Sequence, residues 1–251
     1  MKKVQWLRLL SGLIAVFALF QWIAITLGSD RGQAGVIVGV VVVAGTLLVE
    51  MYLFRKSFKE SARAIGLARM SKIGVLTATA ISVFMLLMII VFGSVTDSAL
   101  GLYPNWYWLV PGLFFQAGIA EETLFRGYLF NHLRRKYAFW KAATLAALPF
   151  TVVHLILFQS LAWSIAFASI LLAIVMSFPL SRLYELGAQT IWAPAIVHFV
   201  TQGAVKVVVV SGKSASLFPF FWMTICALVP LSVFAIEVRK VSEPQAVAAG
   251  S

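Results

Sequence analysis

The stretch AGIAEETLFRGYLF, residues 117–130, sets two adjacent carboxylates, Glu121 and Glu122, and an arginine, Arg126, into otherwise apolar surroundings. Two other segments place imidazoles in similar company: FTVVH runs from Phe150 to His154, and HFVTQ from His198 to Gln202. These residue types suit hydrolysis. A carboxylate beside a neutral imidazole can hold a water molecule and deprotonate it. A second imidazole, or an amide such as Gln202, can donate to a developing oxyanion. His198 and Gln202 are four apart and share a helix face. So do Glu122 and Arg126, and Arg126 can hold Glu122 ionised; the same spacing also fits a plain packing ion pair. A single buried histidine is more often a core residue than a catalyst. The concentration of titratable groups is what argues for chemistry.

The elements that carry them are membrane helices. The chain has 251 residues, 61% hydrophobic and only 12% charged, with a mean hydropathy of +0.96. A soluble domain carries about 25% charged residues. Apolar runs near the length a spanning helix needs lie at about 7–28, 33–54, 73–93, 106–130, 142–159, 161–180, 188–210 and 217–236. The expected fold class is therefore all-α: a polytopic bundle of about eight transmembrane helices with the site inside it. Residues 1–240 read as a single integral membrane domain and 241–251 as a disordered tail. The start, with Lys2, Lys3 and Arg8, resembles a signal-peptide n-region, but the long run lacks a clear cleavage site and reads as a retained helix.

The formal net charge of +11 is split into short clusters between the apolar runs. That pattern fits a membrane orientation signal rather than a nucleic-acid patch. Arg55, Lys56, Lys59, Arg63, Arg69 and Lys72 form one cluster, and Arg134, Arg135, Lys136 and Lys141 another. With Arg182, Arg239 and Lys240 they fall on one side if eight helices alternate and both termini are cytoplasmic; Asp30, Arg31, Asp97 and Lys213 fall on the other. The loop 55–72 reads as an interfacial amphipathic helix facing anionic lipid. Tyr103, Trp106, Tyr107 and Trp108, like Tyr137 and Trp140, read as headgroup-level anchors. The lone Cys226 excludes an internal disulfide and reads as a buried, inert thiol.

That topology brings the polar residues to one depth. Glu121 lies roughly 15 Å, His154 about 18 Å and His198 roughly 15 Å from the cytoplasmic end of its span, at 1.5 Å per residue. His132 instead falls beside Arg134 and reads as interfacial. Charge at the bilayer centre costs about 2.5–3.5 kcal/mol or more, so groups at one level are expected to meet each other or water. Pro149 and Pro194, a few residues before their histidines, are each placed to loosen a turn beside the site or simply to kink a packed helix.

The motifs EETLFR (Glu121 to Arg126), FTVVH and HFVTQ, in this order, resemble those of the CAAX-protease and bacteriocin-processing (CPBP, Abi or Rce1-like) family of intramembrane endopeptidases. The likeness covers roughly residues 105–205. AIGL (Ala64 to Leu67) is similar to a short motif common upstream in that family. The resemblance implies that Glu121 and His154 activate water and that His198 and Gln202 stabilise the oxyanion. Glu122, Arg126 and Phe150 would support them. Gln202 departs from the family, which usually has asparagine or aspartate there.

The expected partners are the lipid bilayer and a membrane protein or peptide substrate, with no nucleic acid; no sequence feature specifies an oligomeric state. The expected location is a bacterial inner (plasma) membrane. No cofactor is expected, although zinc at Glu121, His154 and His198 is the alternative. Two other functions fit the composition: a catalytically weak or inactive scaffold of the same fold, which Gln202 keeps open, and a proton-coupled transporter. The latter lacks the paired repeats usual in such proteins.

Overall fold

The computed structural model describes residues 3–28 and 31–237. Lys2, Asp30, Arg239, Lys240 and the expected tail 241–251 lie outside the described residues. The elements are helices α1 (Lys3–Thr26), α2 (Arg31–Leu53), α3 (Phe58–Ala64) and α4 (Lys72–Thr96), strand β1 (Ala99–Leu102), helices α5 (Trp106–Leu113), α6 (Asn131–Arg134), α7 (Phe139–Val153), α8 (Trp163–Leu186) and α9 (Trp192–Val207), strand β2 (Val208–Ser211) and helix α10 (Phe218–Leu228). The chain is a polytopic helical membrane bundle. Among the described residues, six helices are long and apolar enough to cross a membrane: α1, α2, α4, α8, α7 extended to Gln159, and α10 with its flanking turns, Ala215–Ala235.

The two remaining apolar runs are the ones that carry the carboxylates and His198. The fourth runs as one helical rod over residues 106–134, but two π-helical stretches, Phe114–Ala120 and Thr123–Phe130, flank Glu121 and Glu122. A π turn bonds i to i+5; the Glu121 N–H donates to the Gln116 carbonyl accordingly. The seventh, α9, has 16 residues, a little short for a spanning helix. Pro194 sits in its first turn, where the missing N–H costs nothing. It starts α9 rather than loosening it. Pro149 lies inside α7, which gives way to a 3₁₀ segment, His154–Gln159.

Close packing sets the position of the fourth rod. A Cβ on Gly35 of α2 would fall 2.2 Å from the Gly112 carbonyl oxygen, so only glycine allows that approach. A Cβ on Gly127 would fall 2.1 Å from the Ile65 carbonyl oxygen. Ile65 is fully buried. The loop expected to lie on the interface thus forms only a short surface helix, α3, held by a capping box between Ser57 and Glu60. Its AIGL continuation plugs the bundle instead. The Asn131 amide donates to the Ala64 carbonyl at 2.6 Å, the Ile191 N–H to Gly66 at 3.1 Å, and the Trp192 indole to Ala68 at 2.9 Å. Arg134 pairs with Glu185 at 2.5 Å. The loops bearing the basic clusters therefore meet on one face. On the opposite face, β1 and β2 pair antiparallel, from Ala99 with Ser211 to Leu102 with Val208.

Candidate active site

Glu121 and Glu122 occupy neighbouring positions but different surroundings. Glu122 is fully buried. Its Oε1 accepts from the Arg126 guanidinium at 2.8 Å and from His198 Nδ1 at 2.6 Å. Glu121 retains some exposure and borders a cavity of about 780 Å³. Its Oε2 lies 3.8 Å from His198 Nε2. The two acids therefore address opposite nitrogens of one imidazole.

The hydrogen-bond partners fix the His198 tautomer. A carboxylate only accepts, so Nδ1 carries the proton toward Glu122 and Nε2 of the neutral ring presents a lone pair. That lone pair meets the Gln202 amide nitrogen at 3.1 Å, while Gln202 Oε1 accepts from Lys206 Nζ at 3.2 Å. A continuous chain of polar contacts thus runs from Arg126 through Glu122, His198 and Gln202 to Lys206. Burial makes every link consequential, because in a low dielectric an unpaired member costs far more than it would in water. The i, i+4 spacing along α9 allows the Gln202 contact; glutamine's extra methylene lets the amide turn back onto the ring of its own helix.

His154 is placed by the end of α7. Its backbone N–H turns to Thr151 and Val152, so the Phe150 carbonyl loses the donor that a continuing α-helix would supply. The side chain replaces it: His154 Nδ1 bonds the Phe150 oxygen at 2.7 Å. A carbonyl only accepts, so in the neutral ring Nε2 keeps its lone pair. This gives the F-x-x-x-H spacing a local physical basis. The Phe150 ring does a second job. It packs 4.7 Å from the His154 ring and 5.9 Å from that of His198, and the Arg126 guanidinium lies over it at 4.4 Å. Arg126 is thus held by a carboxylate and an aromatic face, a geometry worth about 2 kcal/mol when desolvated.

The structure brings all seven residues singled out from the sequence into one neighbourhood. Glu121, Phe150, His154, His198 and Gln202 line the cavity, and Glu122 and Arg126 stand behind it. Spacing alone missed Gln116 and Lys206, which also line it; Gln116 is five residues before Glu121, a relation that only the π turn makes significant. A second polar cluster was also missed. Buried Glu50 accepts from Lys56 at 2.5 Å and from His132 at 2.6 Å. His132 is accordingly tied to α2 rather than simply interfacial. Cys226 is buried, as its apolar run implied.

Metal binding demands a convergent donor set. Among the described residues no three His, Cys, Asp or Glu side chains are grouped to hold an ion. The inward nitrogen of each histidine already bonds a carboxylate or carbonyl, and Gln202 covers the other nitrogen of His198.

Residues 103–204 match the family model described as type II CAAX prenyl endopeptidase Rce1-like. This segment is similar to an Rce1-like domain. It runs from just before α5 to the last turn of α9, so it takes in every residue of the polar chain except Lys206. No curated protein matches the chain. The match covers less than half of the chain, and among the described residues six helices are long and apolar enough to cross a membrane.

Proposed function

We propose that the protein is an intramembrane endopeptidase that hydrolyses a peptide bond of a membrane-associated protein or peptide by a glutamate- and histidine-activated water. The observation that carries this reading is the division of labour between the adjacent acids: Glu122 is fully buried and doubly bonded, whereas Glu121 borders the cavity with the free nitrogen of His154. A carboxylate that only held the fold together would have no need of an aqueous neighbour.

In this mechanism the water binds between Glu121 and His154 Nε2. Glu121 takes its proton as the oxygen attacks the scissile carbonyl carbon. The negative charge gathers on the carbonyl oxygen, where the Gln202 amide and a protonated His198 can donate to it. For His198 that requires Nε2 to take up a proton from the cavity before the attack and the Gln202 amide to turn off the ring, with Glu122 and Glu121 flanking the resulting imidazolium. Collapse of the tetrahedral intermediate breaks the C–N bond, and the proton held by Glu121 passes to the departing amine. Arg126 and Phe150 contact no reacting atom; they fix Glu122 and, through it, the plane of the His198 ring.

The test compares new peptide termini by mass spectrometry in membranes carrying wild type or Glu121→Gln. Removal of a general base costs about 10²–10⁴-fold, so the termini made by the wild type should disappear in the variant at matched abundance. Identical termini in both would transfer the weight to the scaffold reading, with Gln202 as its first suspect.

A further inference from the structure

We infer that the site is loaded from the face opposite the basic loops, so that its substrates are peptides presented at the extracytoplasmic leaflet. This rests on the peptidase reading only for the word substrate; the direction of opening stands on the structure itself.

The lining of the cavity is one-sided on five of the helices that contribute to it. On α1 the lining residues lie in the second half, from Phe17 to Gly28 just beyond its end; on α2 they lie in the first third, Ala34 and Val38. On α8 they stop at Met176, ten residues before the helix ends, and on α10 at Met223. On α9 they begin only at His198 and continue to Val208 in β2. Each of these ranges is the half nearer the β1–β2 ladder. The inner limit lies about one turn past the acids, at Phe125 and Phe150, and the lining extends from there through Glu121, His154 and His198 to Leu161 and Pro219 near the ladder face.

The other face is shut. Ile65 is fully buried against Gly127, and the segment 64–71 is tied by hydrogen bonds to Asn131, Leu186, Ile191 and Trp192. Water or a peptide approaching from the basic side meets this plug before it meets Glu121. Excess lysine and arginine marks the cytoplasmic side. The basic loops are the plugged face, which makes the open face extracytoplasmic. The lining is mostly apolar with isolated amides, Gln21, Gln116 and Gln202. That suits an extended apolar peptide whose backbone needs a few polar partners. A prenylated tail displayed on the cytoplasmic surface would face the closed end.

The experiment is thiol accessibility in oriented vesicles, and the native chain is a usable blank because its only cysteine, Cys226, is buried. A membrane-impermeant, positively charged methanethiosulfonate reagent is applied to Gln116→Cys inside the cavity and to Lys59→Cys in α3 on the basic face. Thiol reactivity follows access. Gln116→Cys should react at least about tenfold faster in right-side-out than in inverted vesicles, and Lys59→Cys should show the reverse. A short water-soluble apolar peptide added outside should slow the Gln116→Cys reaction. Reaction of Gln116→Cys from the same side as Lys59→Cys overturns the inference, as does no reaction from either side. Absence of peptide protection overturns the assignment of a peptide occupant. Labelling needs no turnover. A protein that labels from outside yet generates no new termini would sink the peptidase reading and leave the entrance standing.

Discussion

The Gln202 amide nitrogen lies 3.1 Å from His198 Nε2, the ring nitrogen nearest the reactive cavity. Where the related motif usually has asparagine or aspartate, the longer glutamine covers this nitrogen and hands its own oxygen to Lys206. Asparagine keeps an amide donor but is one methylene too short to bridge both. Cleavage by Gln202→Asn should remain within about tenfold of wild type, whereas Gln202→Leu, with no donor, should lose about 10²–10³-fold. Initial rates of appearance of the same new terminus decide it. Full activity in Gln202→Leu would remove this residue from oxyanion stabilisation.

Glu122→Ala should be a folding defect before it is a catalytic one. It leaves the buried guanidinium of Arg126 without its carboxylate, a loss of about 3–5 kcal/mol for a buried pair broken on one side. Thermal unfolding in detergent should therefore separate Glu122→Ala, strongly destabilised, from Glu121→Gln, close to wild type. Adding Arg126→Leu to Glu122→Ala should recover part of the stability. Equal melting temperatures for the two single variants would contradict the different burial of the two acids.

Removal of metal tests the remaining chemistry of the same groups. With no three His, Cys, Asp or Glu side chains grouped to hold an ion among the described residues, cleavage should survive extended chelation. Loss on chelation and return with added zinc would recast Glu121, His154 and His198 as ligands.

The capping box of α3 gives a pH-dependent element outside the spans. Bonds from the Ser57 hydroxyl and backbone N–H hold the Glu60 carboxyl below its ordinary value of 4.5. A carboxyl depressed by folding stabilises the folded helix above its unfolded value and ceases to do so as pH falls through the folded one. Amide exchange over residues 58–61, compared at equal intrinsic rates, should accelerate once pH drops below that lowered value. Glu60→Gln should remove the acid-dependent part. An unchanged profile in Glu60→Gln would assign it to another group.

Much of the site was legible because lipid makes polar placement expensive. Glu121, His154 and His198 stand out against apolar runs, and rise per residue alone puts them at one depth. The same logic failed for Glu50, which sits near the end of α2, and for His132, whose partner is 82 positions away. The π-helical turns around Glu121 were invisible because nothing in FFQAGIA or TLFRGYLF departs from an α-helical composition. The burial of Ile65 was hidden by its context. A single apolar residue beside a basic amphipathic helix is what an interfacial segment also shows, and only the approach of Gly127 separates the two. The seven-residue polar neighbourhood could be named in advance; which acid touched which nitrogen could not.

The β1–β2 ladder joins the far ends of α4 and α9, and Gly74 of α4 closes on Gly187 just before α9 begins. The two helices are therefore clamped top and bottom into one post, and the post carries His198 and Gln202. A chamber with one fixed wall can widen only by moving the other. That wall includes Phe17 and Gln21 of α1, so a guest should be admitted or refused on a side that does not carry His198 and Gln202. Substitutions on α1 should therefore change which guest enters without disturbing the contact between His198 and Gln202.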